Sequence, residues 1–179
     1  MRESWREWTA FLHLRRALKT SHDADALSDV VTRLIRTTGT DRETSTKLAI
    51  TAAVTGDLGA TCTLISRHLE GAPLHDVNTA RFARHRPLRA ERAAETLRTY
   101  AEMARTAGGF IPLIAEQLTG EDDDFRAIAS LFTSARGATT HTGRTIARLL
   151  AYTGLWHWPT TGPGCAAGLP PAAHAGLSR

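Results

Sequence analysis

Cysteine is scarce in this chain of 179 residues. Its two cysteines, Cys62 and Cys165, have no C-x-x-C spacing and are too few for a disulfide framework. The composition therefore indicates a reducing compartment, and we expect the protein to be cytoplasmic. Polar residues interrupt every apolar stretch before the length of about 18 residues that a transmembrane helix needs. The first twenty residues lack the continuous apolar core of a secretory signal, and we expect no membrane partner.

Lysine is also rare, because only Lys19 and Lys47 among the 22 basic residues are not arginine. This bias is typical of a GC-rich genome, so the high sequence pI of 9.7 is by itself no indication of nucleic-acid binding. The distribution of charge is more informative, since residues 81–106 are mainly basic and residues 107–135 mainly acidic. These blocks either neutralise one another in the folded protein or across an oligomer, or present a basic face to an anionic partner.

Apolar residues repeat with the period of an α-helix from residue 4 to about residue 156, and no segment alternates as a strand does. The pattern predicts an all-α fold of about eight helices, arranged as a compact bundle or as an orthogonal array. The first predicted helix covers 4–19. From Pro159 onward the sequence is rich in glycine and proline, which predicts one helical domain over 1–158 and a disordered tail over 159–179.

Residues typical of helix starts mark three of these helices. Thr40 and Glu43 have the spacing of a capping box, in which the two side chains bond each other's backbone N–H groups. Asp57 is expected to cap the next helix after a very short connection. The acidic run 121–124 precedes an apolar helical stripe that begins at Phe125, so we interpret it as a helix start rather than as a cation site.

The sequence predicts no catalytic, cofactor-binding or metal-binding residue. The eight histidines form no H-E-x-x-H motif, and no G-x-S-x-G motif is present. The glycine-rich run 162–168 follows the last helix instead of preceding one, unlike a phosphate-binding loop. Glu91 and Glu95 have the spacing of an acid/base pair, but the arginines around them favour a solvated, salt-bridged helix face.

The densest charge feature is the basic segment 81–92, which has five arginines and one acidic residue among twelve. The planar guanidinium group suits phosphate because it donates two hydrogen bonds at once. The predicted nucleic-acid-binding residues are Arg81, Arg84, Arg86, Arg89 and Arg92. The alternative is a solvated charged face, and we expect Phe82 and Leu88 to pin the segment to the core.

Two further features suggest macromolecular partners. Ala52, Gly56 and Ile65 have the spacing of a weak helix-turn-helix match. Its second helix would present Thr61, Thr63, Ser66 and Arg67 to a DNA groove. Trp156 and Trp158 end the last predicted helix, where they either cap the core or form a protein-binding hot spot.

The leading hypothesis is a small non-enzymatic regulatory or accessory protein that contacts DNA or RNA through the basic segment. A maintenance or transfer factor of a mobile element is one example that fits the size and composition. One alternative is a protein-interaction or self-associating module without a nucleic-acid role. Another is a small-molecule-binding protein or enzyme whose pocket is lined by Trp5, Trp8, His13 or Tyr100.

Overall fold

The computed structural model of the protein describes residues 26–80, 87–119 and 123–156, and within them every regular element is helical. It contains α1 (Ala26–Thr38), α2 (Arg42–Thr55), α3 (Leu58–Leu69), a 3-10 turn (Val77–Thr79), α4 (Pro87–Ala107), α5 (Phe110–Ala115), α6 (Asp124–Thr133) and α7 (Thr140–Tyr152). The all-α prediction is therefore confirmed for this part of the chain. The described residues contain seven α-helices, against about eight predicted for the whole chain. The helix predicted at 4–19 and the tail predicted at 159–179 lie outside them.

Helix α2 is surrounded by other helices. It packs against α1, α3, α4, α5 and α7. Buried positions occur on all its sides, whereas a surface helix buries one stripe only. Small side chains such as Ala49 and Ala52, both without exposed surface, allow the neighbouring helices to approach closely. The core of the molecule is therefore arranged around α2.

The start of α2 differs from the predicted capping box. Asp41 is the N-cap, and its carboxylate accepts hydrogen bonds from the backbone N–H and the hydroxyl of Thr44. These two bonds lower the pKa of Asp41. Thr40 bonds Ser45 instead, and Glu43 extends to another helix. The capping-box prediction is wrong because Asp41 satisfies the helix start, which leaves the Glu43 carboxylate available elsewhere.

The connection from α2 to α3 is as short as the sequence predicts. Gly56 ends α2 in the left-handed conformation with φ 56°, which a residue with a side chain rarely adopts. Asp57 follows at once as the N-cap of α3 and accepts a hydrogen bond of 2.8 Å from the backbone N–H of Ala60. The predicted cap at Asp57 is confirmed.

Helix α4 is joined to α6 through Tyr100 and Phe132. The two rings meet edge to face with centroids 5.1 Å apart, and the Tyr100 hydroxyl donates to the backbone carbonyl of Phe132. Tyr100 has no exposed surface and belongs to the core. Burial raises its pKa far above the ordinary value, so the hydroxyl remains protonated as this bond requires.

The C-terminal end of α7 is covered by Trp156, which is 4 % exposed. The Arg42 guanidinium lies 4.2 Å from the centre of its ring and also donates to the backbone carbonyl of Leu155. The interpretation of Trp156 as a cap on the core is confirmed, while Trp158 lies outside the described residues.

The described residues of the acidic run, Asp123 and Asp124, lie at the start of α6, as the sequence predicts. Asp124 is buried and accepts hydrogen bonds from the backbone N–H and the hydroxyl of Thr119. Asp123 is the N-cap residue of α6, but its side chain forms no hydrogen bond to the start of the helix and pairs with Arg126 at 3.4 Å instead.

No helix within the described ranges is long and apolar enough to cross a membrane.

Gly143 marks the closest approach of α6 and α7. A Cβ at this position would overlap the backbone carbonyl oxygen of Ala129 and the hydroxyl of Thr133. We expect Gly143→Ala to lower the free energy of unfolding by about 1 to 3 kcal/mol, although alanine favours an isolated helix. Urea unfolding followed by circular dichroism measures the change.

Arg144→Ala is the matched control, because Arg144 is the next residue of α7 and faces solvent. Its free energy of unfolding should stay within about 0.5 kcal/mol of the parent value. A Gly143→Ala protein as stable as the parent would show that α6 and α7 do not meet at this glycine.

Candidate functional site

The basic segment is described from Pro87 onward, where α4 begins. Arg89 and Arg92 are both exposed, and their spacing of three residues places them on neighbouring parts of one helix face. Neither forms an ion pair with a described residue. Arg81, Arg84 and Arg86 lie outside the described residues. The structure thus presents two of the five predicted nucleic-acid-binding arginines to solvent, unpaired within the described part.

Leu88 does not pin this segment to the core. Its side chain is 81 % exposed, so that expectation is wrong, and Phe82 lies outside the described residues. The reason is the register of α4, whose buried stripe contains Ala90, Ala93 and Leu97. Leu88 precedes Ala90 by two residues, about 200° around the helix, and therefore points away from the core.

The acidic residues of α4 are placed as a solvated helix face requires. Glu95 pairs with Arg136 at 2.7 Å on the surface, and Glu91 is exposed. Glu95 is thus ion-paired with an arginine from the loop between α6 and α7. It is therefore part of a surface ion pair, with Arg136 rather than with an arginine of α4, and Glu91 forms no ion pair with a described residue.

The helix-turn-helix hypothesis is not supported by the surface of α3. Thr61 has no exposed surface, and its hydroxyl bonds the Thr55 hydroxyl and the Asp57 carbonyl. Thr61 therefore cannot face a DNA groove, which contradicts the expectation. Ser66 and Arg67 are exposed, so only one charged residue of the proposed set is available on this helix. The short helical connection is better explained by packing against α2.

A groove of about 850 Å³ lies where α2, the end of α3, the end of α4 and the start of α5 meet. Its volume is within the range of small-molecule sites. The polar lining consists of Glu43, Lys47, His68, His75 and Arg105. The apolar lining includes Leu74, Ala101, Ala104, Phe110, Ile111 and Pro112.

Lys47 and His68 form a directed pair in this groove. The Lys47 Nζ lies 3.2 Å from His68 Nε2, and His68 Nδ1 lies 3.0 Å from the backbone carbonyl oxygen of Ala72. A carbonyl oxygen only accepts, so Nδ1 carries a hydrogen and donates to it. Nε2 of a neutral ring is then the acceptor for the Lys47 ammonium. His68 thereby orients the ammonium group without cancelling its charge.

Glu43 uses both carboxylate oxygens on the start of α5. They accept hydrogen bonds of 2.9 Å and 3.0 Å from the backbone N–H groups of Phe110 and Ile111. Gly109, with φ 139°, makes the turn that points these groups toward α2. The negative charge of Glu43 is therefore engaged by backbone donors and does not neutralise Lys47 through an ion pair.

His75 has a polar atom without a hydrogen-bond partner among the described residues. The atom is its Nδ1, which is buried. Buried ring nitrogens almost always have a partner, which makes this atom unusual. His75 lines the groove together with His68. No group of three or more potential metal-ligating side chains occurs in the described ranges.

The pocket that the sequence suggested is not the one observed. Tyr100 belongs to the closed core, while Trp5, Trp8 and His13 lie outside the described residues. The groove instead combines Glu43, Lys47 and residues up to Pro112 from four separate elements. No local spacing connects them, and the only sequence signal is that Lys47 is one of two lysines.

Comparison of this chain with known proteins found no match. No protein-family model, no curated protein and no solved structure matches it.

Cys62 is a poor nucleophile in this fold. Burial, and secondarily the nearby charge of Asp57, raise the pKa of its thiol from 9.0 to about 11. We expect Cys62 to react with a thiol-specific disulfide reagent roughly 100-fold more slowly in the folded protein than in the unfolded chain at about pH 8. The Cys165→Ser variant isolates this thiol for the measurement.

The same variant in concentrated urea supplies the reference rate. The folded-state rate should rise as the pH increases toward 11, because the thiolate is the reactive form. Equal rates in the folded and unfolded states would show that the Cys62 environment differs from the one described.

Proposed function

We propose that this protein is a non-enzymatic regulatory or accessory protein that acts through macromolecular contacts, and that the basic segment 81–92 binds DNA or RNA. The observation that carries the proposal is the exposure of Arg89 and Arg92, side by side and without ion pairs to described residues. Unpaired arginines lose fewer existing contacts when they bind phosphate than arginines already held by carboxylates.

The location of these arginines also favours an anionic partner. They lie in the first two turns of α4, and the N-terminal end of a long helix carries partial positive charge. Further along α4 the exposed Arg98 and Arg105 are separated by Glu102, so the charges there alternate in sign. The exposed Glu91 likewise stands between Arg89 and Arg92. The excess of positive charge near the start of α4 therefore comes from Arg81, Arg84 and Arg86, which precede the helix in the sequence.

A second candidate is a protein-interaction module, favoured by the exposed Leu88. Leu88 and Leu69 are the large hydrophobic side chains with high exposure in the described ranges, at 81 % and 62 %. Single exposed leucines are common on protein surfaces, and a binding patch is larger. The nucleic-acid proposal is therefore preferred, and Leu88 beside Arg89 would add an apolar contact to it.

The double variant Arg89→Ala/Arg92→Ala tests the proposal in the full chain. We expect affinity for a fluorescein-labelled generic duplex, measured by fluorescence anisotropy at low salt, to fall by about tenfold or more. The slope of log affinity against log salt concentration should decrease by about 2, because two phosphate contacts are lost.

The control is Arg144→Ala/Arg148→Ala, which removes the same charge from exposed positions of α7. Circular dichroism and thermal unfolding establish that both variants are folded. Equal weakening by the two variants would indicate a non-specific charge effect and overturn the assignment of the surface. Absence of binding by the parent to duplex or single-stranded probes at low salt would overturn the function.

A further inference from the structure

We propose that the groove between α2, α3, α4 and α5 binds a small amphipathic organic anion, held by its carboxylate or phosphate group. Lys47 and Arg105, which both line the groove, supply the positive charges. Arg89 and Arg92 do not line this groove, and the proposal does not depend on the proposed function.

The charge of Lys47 is available to a ligand. Its ammonium has three hydrogens, one of which is used on His68 Nε2 at 3.2 Å. The neighbouring acid of the groove, Glu43, already accepts two backbone hydrogen bonds from α5. A half-buried cation that is oriented but not ion-paired is the arrangement that recognises an anion in a partly desolvated site.

Arg105 and His75 come from two other parts of the chain. Arg105 lies in the last turn of α4, is exposed, and forms no ion pair with a described residue. His75 lies in the loop after α3 and also lines the groove, although its Nδ1 is buried and not exposed to it. Convergence of polar groups from separate elements on one concavity is characteristic of a ligand site.

The remaining lining determines what else the ligand must carry. Leu74, Ile111 and Pro112 form part of an apolar wall in the groove. An inorganic ion would leave this wall in water, whereas an anion with an apolar body would bury it. The lining therefore favours an amphipathic anion over free phosphate.

A metal ion fits this groove less well. The Lys47 ammonium beside His68 repels cations, and it occupies the ring nitrogen that would otherwise coordinate a metal. Glu43 is likewise engaged by the start of α5. Binding a cation would require these bonds to break, whereas binding an anion would leave them in place.

The test uses ¹⁵N-labelled full-length protein titrated with benzoate, phenyl phosphate and the neutral analogue benzamide, with sodium chloride as the ionic-strength control. We expect both anions to shift the backbone amide signals of groove residues such as Leu74 and Ile111, and benzamide to shift them much less. Inorganic phosphate should bind more weakly than phenyl phosphate. The relative affinities of benzoate and phenyl phosphate identify which anionic group is preferred.

Lys47→Met and Arg105→Gln should each raise the dissociation constant of the preferred anion by about tenfold, because each removes one positive charge. Arg36→Gln, an exposed charge on α1 outside the groove, should leave it unchanged. Arg105→Gln alters an exposed side chain, so it remains informative if Lys47→Met does not fold. The Arg89→Ala/Arg92→Ala protein should bind these anions normally, which separates this site from the proposed nucleic-acid surface.

Three outcomes would overturn the proposal. These are no shift of groove signals with either aromatic anion, binding of benzamide as tight as that of benzoate, and unchanged affinity in Arg105→Gln together with any folded Lys47→Met protein. Signal changes confined to residues outside the groove would also overturn the proposal, because the anions would then bind elsewhere.

Discussion

Hydroxyl groups on a fully surrounded helix are the constraint on which this fold depends. Five buried side chains of α2 carry hydroxyls, and a buried hydroxyl without a partner costs about 1 to 3 kcal/mol. Thr46 and Thr51 bond the backbone carbonyl four residues earlier in α2 itself. The hydroxyls of Thr44, Ser45 and Thr55 bond Asp41, Thr40, Asp57 and Thr61. Four of these hydroxyls are therefore satisfied within α2 or by the residues just before it. The fifth, on Thr55, bonds the turn after α2 and Thr61 in the first turns of α3, so a single covering helix supplies a hydroxyl partner.

This arrangement also leaves the longer polar side chains of α2 available to its neighbours. Asp41 caps the helix, so Glu43 can hold the start of α5. Lys47 lies one helical turn after Glu43 and on the same face, which brings its ammonium to His68 of α3. Two positions on one face of α2 thus connect α3 and α5 and shape the groove between them. The same bonds that position these helices define the charge of the candidate site.

The sequence predicted the helices well where local physics decides and poorly where tertiary contacts do. The cap at Asp57 and the apolar period of α7 depend on neighbours in the chain, and both were predicted. The capping box at Glu43 was wrong because Asp41 caps α2, and the backbone N–H groups of α5 then bind the Glu43 carboxylate. The expectation that Leu88 packs on the core was wrong because hydrophobicity alone does not give the register of α4 against the core. The groove joins residues from Glu43 to Pro112, which no local pattern connects.

The two proposed anion sites differ in how salt acts on them. Arg89 and Arg92 are exposed, so dissolved ions screen their attraction to phosphate over about 10 Å at ordinary ionic strength. Lys47 is half-buried beside an apolar wall, where screening is weaker and a charge interaction is stronger. A macromolecule with many phosphates gains from the first environment because it releases many counterions. A small ligand with one anionic group gains from the second, because few contacts must supply its whole affinity. The two proposals therefore differ chiefly in the surroundings of Lys47, because Arg105 of the groove is exposed like Arg89 and Arg92.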